Sequence, residues 1–320
     1  MRNAFAAELT TLAERDERIV LLSGDIGNRL FDGFKARFAG RFFNCGVAEA
    51  NMMSLAAGMA LSGLRPFVYT IAPFTTTRCL EQIRLDVCYH QAPVTIVGVG
   101  AGLSYAANGA THHSVEDIAF LRMLPEMTVL CPGDEMEMRA LMRAAMALGK
   151  PAYLRIGKSG EPVVHPDVPD LRIGQGLEVR AGSDVCLLST GNMLPNVLEA
   201  ATRLAKVGLS ARVVSMHTVK PLDERMLTAL FAAYPLVVTV EEHSRNGGFG
   251  GSVAEWLCDQ PFHGRLLRLG SSDEFLHEAG GQEYARERFG LTPRALSESV
   301  LRAWSFARPC AAGSQVRAVS

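Results

Sequence analysis

Short, mostly apolar runs recur along the chain at residues 19–22, 67–71, 94–99, 129–131 and 153–156. A second series follows at 185–189, 212–216, 236–240 and 266–269. Few of these runs alternate polar with apolar, so each reads as a strand covered on both faces. Between them lie stretches with helical spacing of apolar positions, among them 51–61, 77–90, 135–148, 195–207, 224–233 and 251–257. Strands and helices in alternation predict parallel sheets with helices on both sides, the doubly wound α/β class.

The pattern breaks once. Pro162, Pro166 and Pro169, with Gly157, Gly160, Gly174 and Gly176, punctuate a stretch with no periodic apolar stripe. This predicts a first domain over 1–160, a linker over 161–176 and a second domain over 177–305. Residues 306–320 have little to bury and read as a flexible tail.

Composition narrows the function. The 320 residues are 48% hydrophobic, enough for two cores. Net charge is -1, which gives no basis for a nucleic-acid surface. No run approaches the roughly 18 apolar residues of a membrane span. Met1-Arg2-Asn3-Ala4-Phe5 opens no apolar leader, so the expectation is a cytoplasmic protein. The seven cysteines are odd in number and form no C-x-x-C pair, which predicts reduced thiols and no zinc site.

The segment Phe43-Asn44-Cys45-Gly46-Val47-Ala48-Glu49-Ala50-Asn51-Met52 places a carboxylate in the first turn of an Ala/Gly/Met-rich helix. A carboxyl there loses solvation, and in an apolar pocket it can share a proton with a ring nitrogen. An acidic residue also simply favours a helix N-terminus, so Glu49 alone decides nothing. Three further features accompany it: Pro66-Phe67-Val68-Tyr69-Thr70-Ile71-Ala72-Pro73-Phe74, a strand running into an aromatic; the loop Gly98-Val99-Gly100-Ala101-Gly102-Leu103; and Asn108-Gly109-Ala110-Thr111-His112-His113-Ser114-Val115-Glu116-Asp117.

Taken in order, these residues resemble the pyrimidine-binding domain of thiamine-diphosphate enzymes of the transketolase family. The resemblance runs through Gly46-Val47-Ala48-Glu49-Ala50-Asn51-Met52, Ala56-Ala57-Gly58-Met59-Ala60, Phe74, Asn108-Gly109-Ala110-Thr111-His112-His113, Glu116-Asp117 and Leu121-Arg122-Met123-Leu124-Pro125. The second domain is similar to the transketolase C-terminal domain at Leu187-Leu188-Ser189-Thr190-Gly191-Asn192, Val219-Lys220-Pro221-Leu222-Asp223, Glu241-Glu242-His243 and Gly247-Gly248-Phe249-Gly250-Gly251.

The resemblance implies roles. Glu49 would hydrogen-bond the cofactor's pyrimidine nitrogen and activate the cofactor. Phe74 would pack on the pyrimidine face, with Ile71 at the end of the same strand, and Asp25 in Ser23-Gly24-Asp25-Ile26-Gly27 would approach the cofactor across a contact between subunits. His112 would manage substrate protons, and Asn108, Lys158, Arg155 and Arg2 would contact the sugar or its anionic group. His113 stands where the family often has Gln. Adjacent histidines on an extended segment point apart, which disfavours a metal site at His112-His113. Asn108 replaces a family Asp, and Lys158 stands where an Arg is usual. These two departures put the standard pentose-phosphate donor in doubt and point to a phosphorylated or modified sugar, while Ala50 for Gln and Thr77 for a larger residue would enlarge or dry the pocket.

The diphosphate-binding motif G-D-G with a downstream Asn is absent, so no Mg²⁺ ligands are expected on this chain. The chain is half the length of a complete transketolase and begins where the second half would begin. The resemblance therefore implies the C-terminal subunit of a split transketolase. A separate N-terminal subunit would supply the diphosphate site and Mg²⁺, with two copies of each chain assembled. Two alternatives stay open: the beta subunit of a 2-oxoacid dehydrogenase-type decarboxylase, and a non-catalytic partner of a thiamine enzyme. Thr111-His112 with Glu116-Asp117 and Leu121-Arg122 favours the transketolase type over the first.

Overall fold

The computed structural model describes residues 1–307 apart from 28 and 263. Two sheets organise it. The first takes β1 (Ile19–Ser23), β2 (Phe42–Asn44), β3 (Arg65–Ile71), β4 (Thr95–Val99), β5 (Thr128–Leu130) and β6 (Ala152–Ile156). The second takes β7 (Leu177–Arg180), β8 (Val185–Ser189), β9 (Ala211–Ser215), β11 (Leu236–Ser244) and β12 (Arg265–Ser271), while β10 (Thr218–Lys220) crosses over to the first sheet. The first sheet runs β10-β5-β6-β4-β3-β1-β2, all parallel except β10. The second runs β12-β11-β8-β9-β7, parallel except for β7.

Strand alternation explains why the first sheet is wrapped on both faces. Ile19 and Leu21 of β1 join Phe67 and Tyr69 of β3 in one core, beneath the helices Arg2–Arg15 and Glu135–Leu148. Val20, Leu22 and Val68 face the other way, onto Met52, Met53, Ala56, Ala57 and Ala60 of the helix Glu49–Leu61. The runs are continuous because both sides of each strand are buried. The second core continues into the other sheet through Cys131, Cys186, Leu188, Val214 and Phe249. Apolar burial thus crosses the domain junction. Lys220 reinforces it by donating to the carbonyls of Arg122 and Leu124 at 3.0 and 2.5 Å.

Helix boundaries follow local chemistry. Asp134 caps the helix Glu135–Leu148 by accepting from the amides of Met136 and Glu137, and Gly149 ends it in the left-handed region at φ 63°. The stretch expected as one helix over 77–90 is broken into a 3₁₀ turn at Thr77–Cys79, a turn at Leu80–Gln82 and a π segment at Ile83–Tyr89. The final helix, Pro293–Ala307, reaches two residues into the expected tail. The rest of that tail lies outside the described residues. No described helix is long and apolar enough to cross a membrane.

Candidate active site

The candidate residues gather where parallel strands end. Gly24 and Asp25 follow β1, Glu49 follows β2, Phe74 follows β3, His112 follows β4, and Lys158 follows β6. Open α/β sheets bind ligands outside the carboxyl ends of their strands. The first sheet therefore brings together residues as far apart in sequence as Gly24 and Lys158.

Glu49 is 4% exposed at the first position of its helix, and its stem packs near Gly24. A Cβ on Gly24 would lie 3.1 Å from the Thr70 side chain and 3.5 Å from Glu49 Cγ, so the close approach of β1 to β3 needs a small residue there. Arg78 Nη1 donates to both carboxylate oxygens of Glu49 at 3.1 Å. The same guanidinium lies 3.9 Å from the centroid of the Phe74 ring. Phe74 in turn meets the His112 ring edge-on, with centroids 5.3 Å apart. Tyr105 lies 6.0 Å beyond His112, and Lys158 Nζ sits 4.6 Å over the Tyr105 ring. Arg2 lies near enough to Tyr105 for its charge to oppose the rise in the phenol's pKa that burial causes.

Glu49, Arg78, Phe74, His112, Tyr105 and Lys158 thus form one unbroken line of contacts. Arg78 and Tyr105 escape a reading of the sequence.

His112 Nδ1 lies 2.9 Å from Thr111 Oγ1, which steadies the ring. Burial, with the neighbouring His113 and Arg78, pushes its pKa below the ordinary imidazole value. The ring is neutral near pH 7 and can both give and take a proton. His113 turns inward instead, its Nε2 3.2 Å from the Ala106 carbonyl. Asn108 is exposed at the end of the short turn Ala106–Asn108, with its backbone amide donating to the Tyr105 carbonyl at 2.8 Å. Ile71, half-buried, closes β3 just before the Phe74 turn.

Asp25 holds φ 57° and accepts from Asn44 Nδ2 at 2.9 Å. It is exposed and sits at the rim of the site.

Arg155 requires a correction. The sequence places it at the substrate, but it is 2% exposed and committed inside the protein. Its Nε donates to Asp117 Oδ2 at 2.8 Å, and Nη2 donates to the carbonyls of Ser114 and Glu242 at 2.8 and 3.0 Å. Strand alternation turns Arg155 into the core, while Lys158, past the strand end, reaches the site.

The second domain holds the loop that carries Tyr105. The buried Glu242 carboxylate accepts from the Leu103 amide at 2.8 Å, Gln282 Nε2 at 2.9 Å and Arg286 Nε at 2.5 Å. Gly102 lies so close that an added Cβ would stand 2.6 Å from the Glu242 carbonyl.

A pyrimidine ring fits this donor set. Glu49 offers a buried carboxylate, Phe74 a flat apolar face, and Gly24 the room for close approach. No group of three or more His, Cys, Asp or Glu among the described residues could hold a metal ion.

Residues 1–161 match the transketolase pyrimidine binding domain, and 174–296 match the transketolase C-terminal domain. The chain is 35% identical over 300 residues to the 6-deoxy-6-sulfo-D-fructose transketolase subunit SqwH of Clostridium sp. (strain MSTE9), covering 92% of each chain. It is 33% identical over 301 residues to one of the subunits of the apulose-4-phosphate transketolase of Phocaeicola vulgatus, covering 92% of this chain and 96% of that one. Against a matching 1-deoxy-D-xylulose-5-phosphate synthase of Syntrophotalea carbinolica it spans 47% of the relative's length. Among solved structures, a split gene transketolase described as an inactive beta4 tetramer superposes with a TM-score of 0.86 at 35% identity, covering 96% of this chain and 98% of that one.

Proposed function

The chain belongs to the transketolase family, and from that premise we propose that it is the C-terminal subunit of a split, thiamine-diphosphate-dependent transketolase. Its near-complete overlap with separate transketolase subunits supports this reading over a decarboxylase subunit. The observation that carries it is the buried Glu49 carboxylate, aligned with Phe74 and His112 at the carboxyl edge of one parallel sheet.

When bound, thiamine diphosphate supplies a nucleophilic carbon able to carry a two-carbon ketol unit from a ketose to an aldose. Glu49 would hydrogen-bond the pyrimidine nitrogen and hold the proton shared with it. Phe74 and Ile71 support the pyrimidine face. His112, neutral near pH 7, would take the donor hydroxyl proton as the carbon–carbon bond breaks and the aldose leaves as its aldehyde, and would give a proton to the acceptor's carbonyl oxygen as the new bond forms. Asn108 hydrogen-bonds a donor hydroxyl. Lys158 and Arg2, both beside Tyr105, attract an anionic group at the far end of the sugar. Two relatives named for a sulfonated and a phosphorylated sugar support an anionic donor.

The partner subunit would provide the diphosphate site and Mg²⁺, with Asp25 facing the contact, and two copies of each chain would form the enzyme. Val47 at 76% exposure and Phe43 leave apolar side chains exposed close to Glu49 in the chain, which suits that assembly. Activity would require the partner. The assembly is read as cytoplasmic.

Glu49→Ala tests the assignment. In the assembled enzyme it should keep the fold and slow ketol transfer by about two orders of magnitude or more. Near wild-type turnover in that variant removes Glu49 from the mechanism.

A further inference from the structure

Arg78 already holds both residues that the cofactor ring would need. Its Nη1 lies 3.1 Å from each Glu49 oxygen, and its guanidinium carbon lies 3.9 Å from the Phe74 centroid. A flat, nitrogen-rich group that stacks on Phe74 and hydrogen-bonds Glu49 takes both places an aminopyrimidine would take. We propose that Arg78 competes with the thiamine pyrimidine for Glu49 and Phe74, and must swing out before the cofactor can seat. This inference rests on the split-transketolase reading above.

The surroundings favour a side-chain swing over a backbone change. The turn under Arg78 is anchored: Thr76 Oγ1 donates to the Ala72 carbonyl at 2.7 Å, Cys79 Sγ reaches the Phe74 carbonyl at 3.2 Å, and Cys79 is fully buried. The Arg78 side chain is 48% exposed, so it has an open path to solvent. Glu49 is 4% exposed and walled on its stem side by Gly24, so the open approach to its oxygens is the one Nη1 uses. A pyrimidine nitrogen bonding either oxygen meets Nη1 first.

The arrangement has a physical rationale. A buried carboxylate with no partner is costly, and Arg78 satisfies Glu49 as the anion; once Arg78 leaves, Glu49 takes a proton from solvent and donates it to the ring nitrogen. The cost reappears as a weaker net affinity for the cofactor, because a charge-assisted contact must break before the ring's hydrogen bond forms.

The test is a titration of thiamine diphosphate, with Mg²⁺, into the enzyme assembled from this chain and its N-terminal partner subunit, followed by calorimetry. Arg78→Met keeps most of the length of the side chain and removes the charge. It should tighten cofactor binding about fivefold, with Arg78→Lys, which keeps charge but loses the planar stack, in between. The isolated Arg78→Met chain should also melt below wild type, because Glu49 has lost its partner.

Unchanged or weaker cofactor binding by folded Arg78→Met overturns the proposal. Should that variant not fold, unchanged or weaker binding by Arg78→Lys overturns it equally. Failure of the wild-type assembly to bind thiamine diphosphate instead defeats the underlying functional reading, so the two failures are distinguishable.

Discussion

Arg155 and Asp117 form an ion pair at 2.8 Å in which both side chains are 1% exposed. Asp117 also accepts from the Tyr153 hydroxyl at 2.6 Å, so the helix Asp117–Arg122 is tied to β6. The Arg155 contacts to Ser114 and Glu242 extend the tie to the His112 loop and the second domain. Burial raises the Asp117 pKa, but Arg155, His243 and Tyr153 outweigh it and hold the carboxyl below its usual value.

This geometry makes Arg155 a stability residue. Removing one member of a buried pair leaves an uncompensated charge and costs about 3–5 kcal/mol. Arg155→Met should show that loss in chemical denaturation. A variant as stable as wild type, with a raised KM for an anionic donor, would return Arg155 to the substrate site.

The linker should answer to pH through His165. Its Nδ1 lies 3.1 Å from Asp134 Oδ2, and that hydrogen bond, with Glu137 nearby, raises its pKa above the ordinary imidazole value. A raised histidine contributes stability that is full below its unfolded pKa of about 6.5 and is lost as pH rises through the folded value. As pH rises from about 6.5 through the raised folded value, wild type should therefore lose more thermal stability than His165→Gln. Parallel melting curves for the two proteins across that window would contradict the pairing.

Asp134 runs the other way. Burial raises its pKa, but the bonds from His165 and from the amides of Glu137, His165 and Val164 hold it down at about 2. Its contribution is present above the ordinary carboxylate range and is lost as pH falls toward about 2.

Lys158 should matter only for charged donors. With its ammonium over Tyr105, Lys158→Ala should raise KM about tenfold for a phosphorylated or sulfonated ketose and little for the neutral sugar. An equal effect on both donors would mean that Lys158 supports the Tyr105 loop and not the anion.

Much of this is legible in the sequence, for identifiable reasons. The apolar run over 185–189 gives β8 its full extent, and apolar spacing gives the helix Glu135–Leu148. The strands that escape, β2, β7 and β10, each lie at a sheet edge. Edge strands are covered on fewer sides, so Phe42–Asn44 and Leu177–Arg180 are half-buried or exposed and lack the continuous apolar signature. In the site, Glu49, Phe74 and His112 stand out because they sit in recognisable strings. Arg78 does not, because its role depends on a turn that replaces the expected helix over 77–90. Arg155 misleads because its charge says nothing of the strand's facing. Its alternation with Leu154 and Ile156 does not reveal the buried Asp117 that it pairs with.

The most direct measurement is ketol transfer by this chain alone, and mixed with its diphosphate-domain subunit, in thiamine diphosphate and Mg²⁺ with an anionic ketose donor. Transfer in the mixture and none by either chain alone is the predicted result. Transfer by the isolated chain, or a mixture that binds no thiamine diphosphate, would contradict the account.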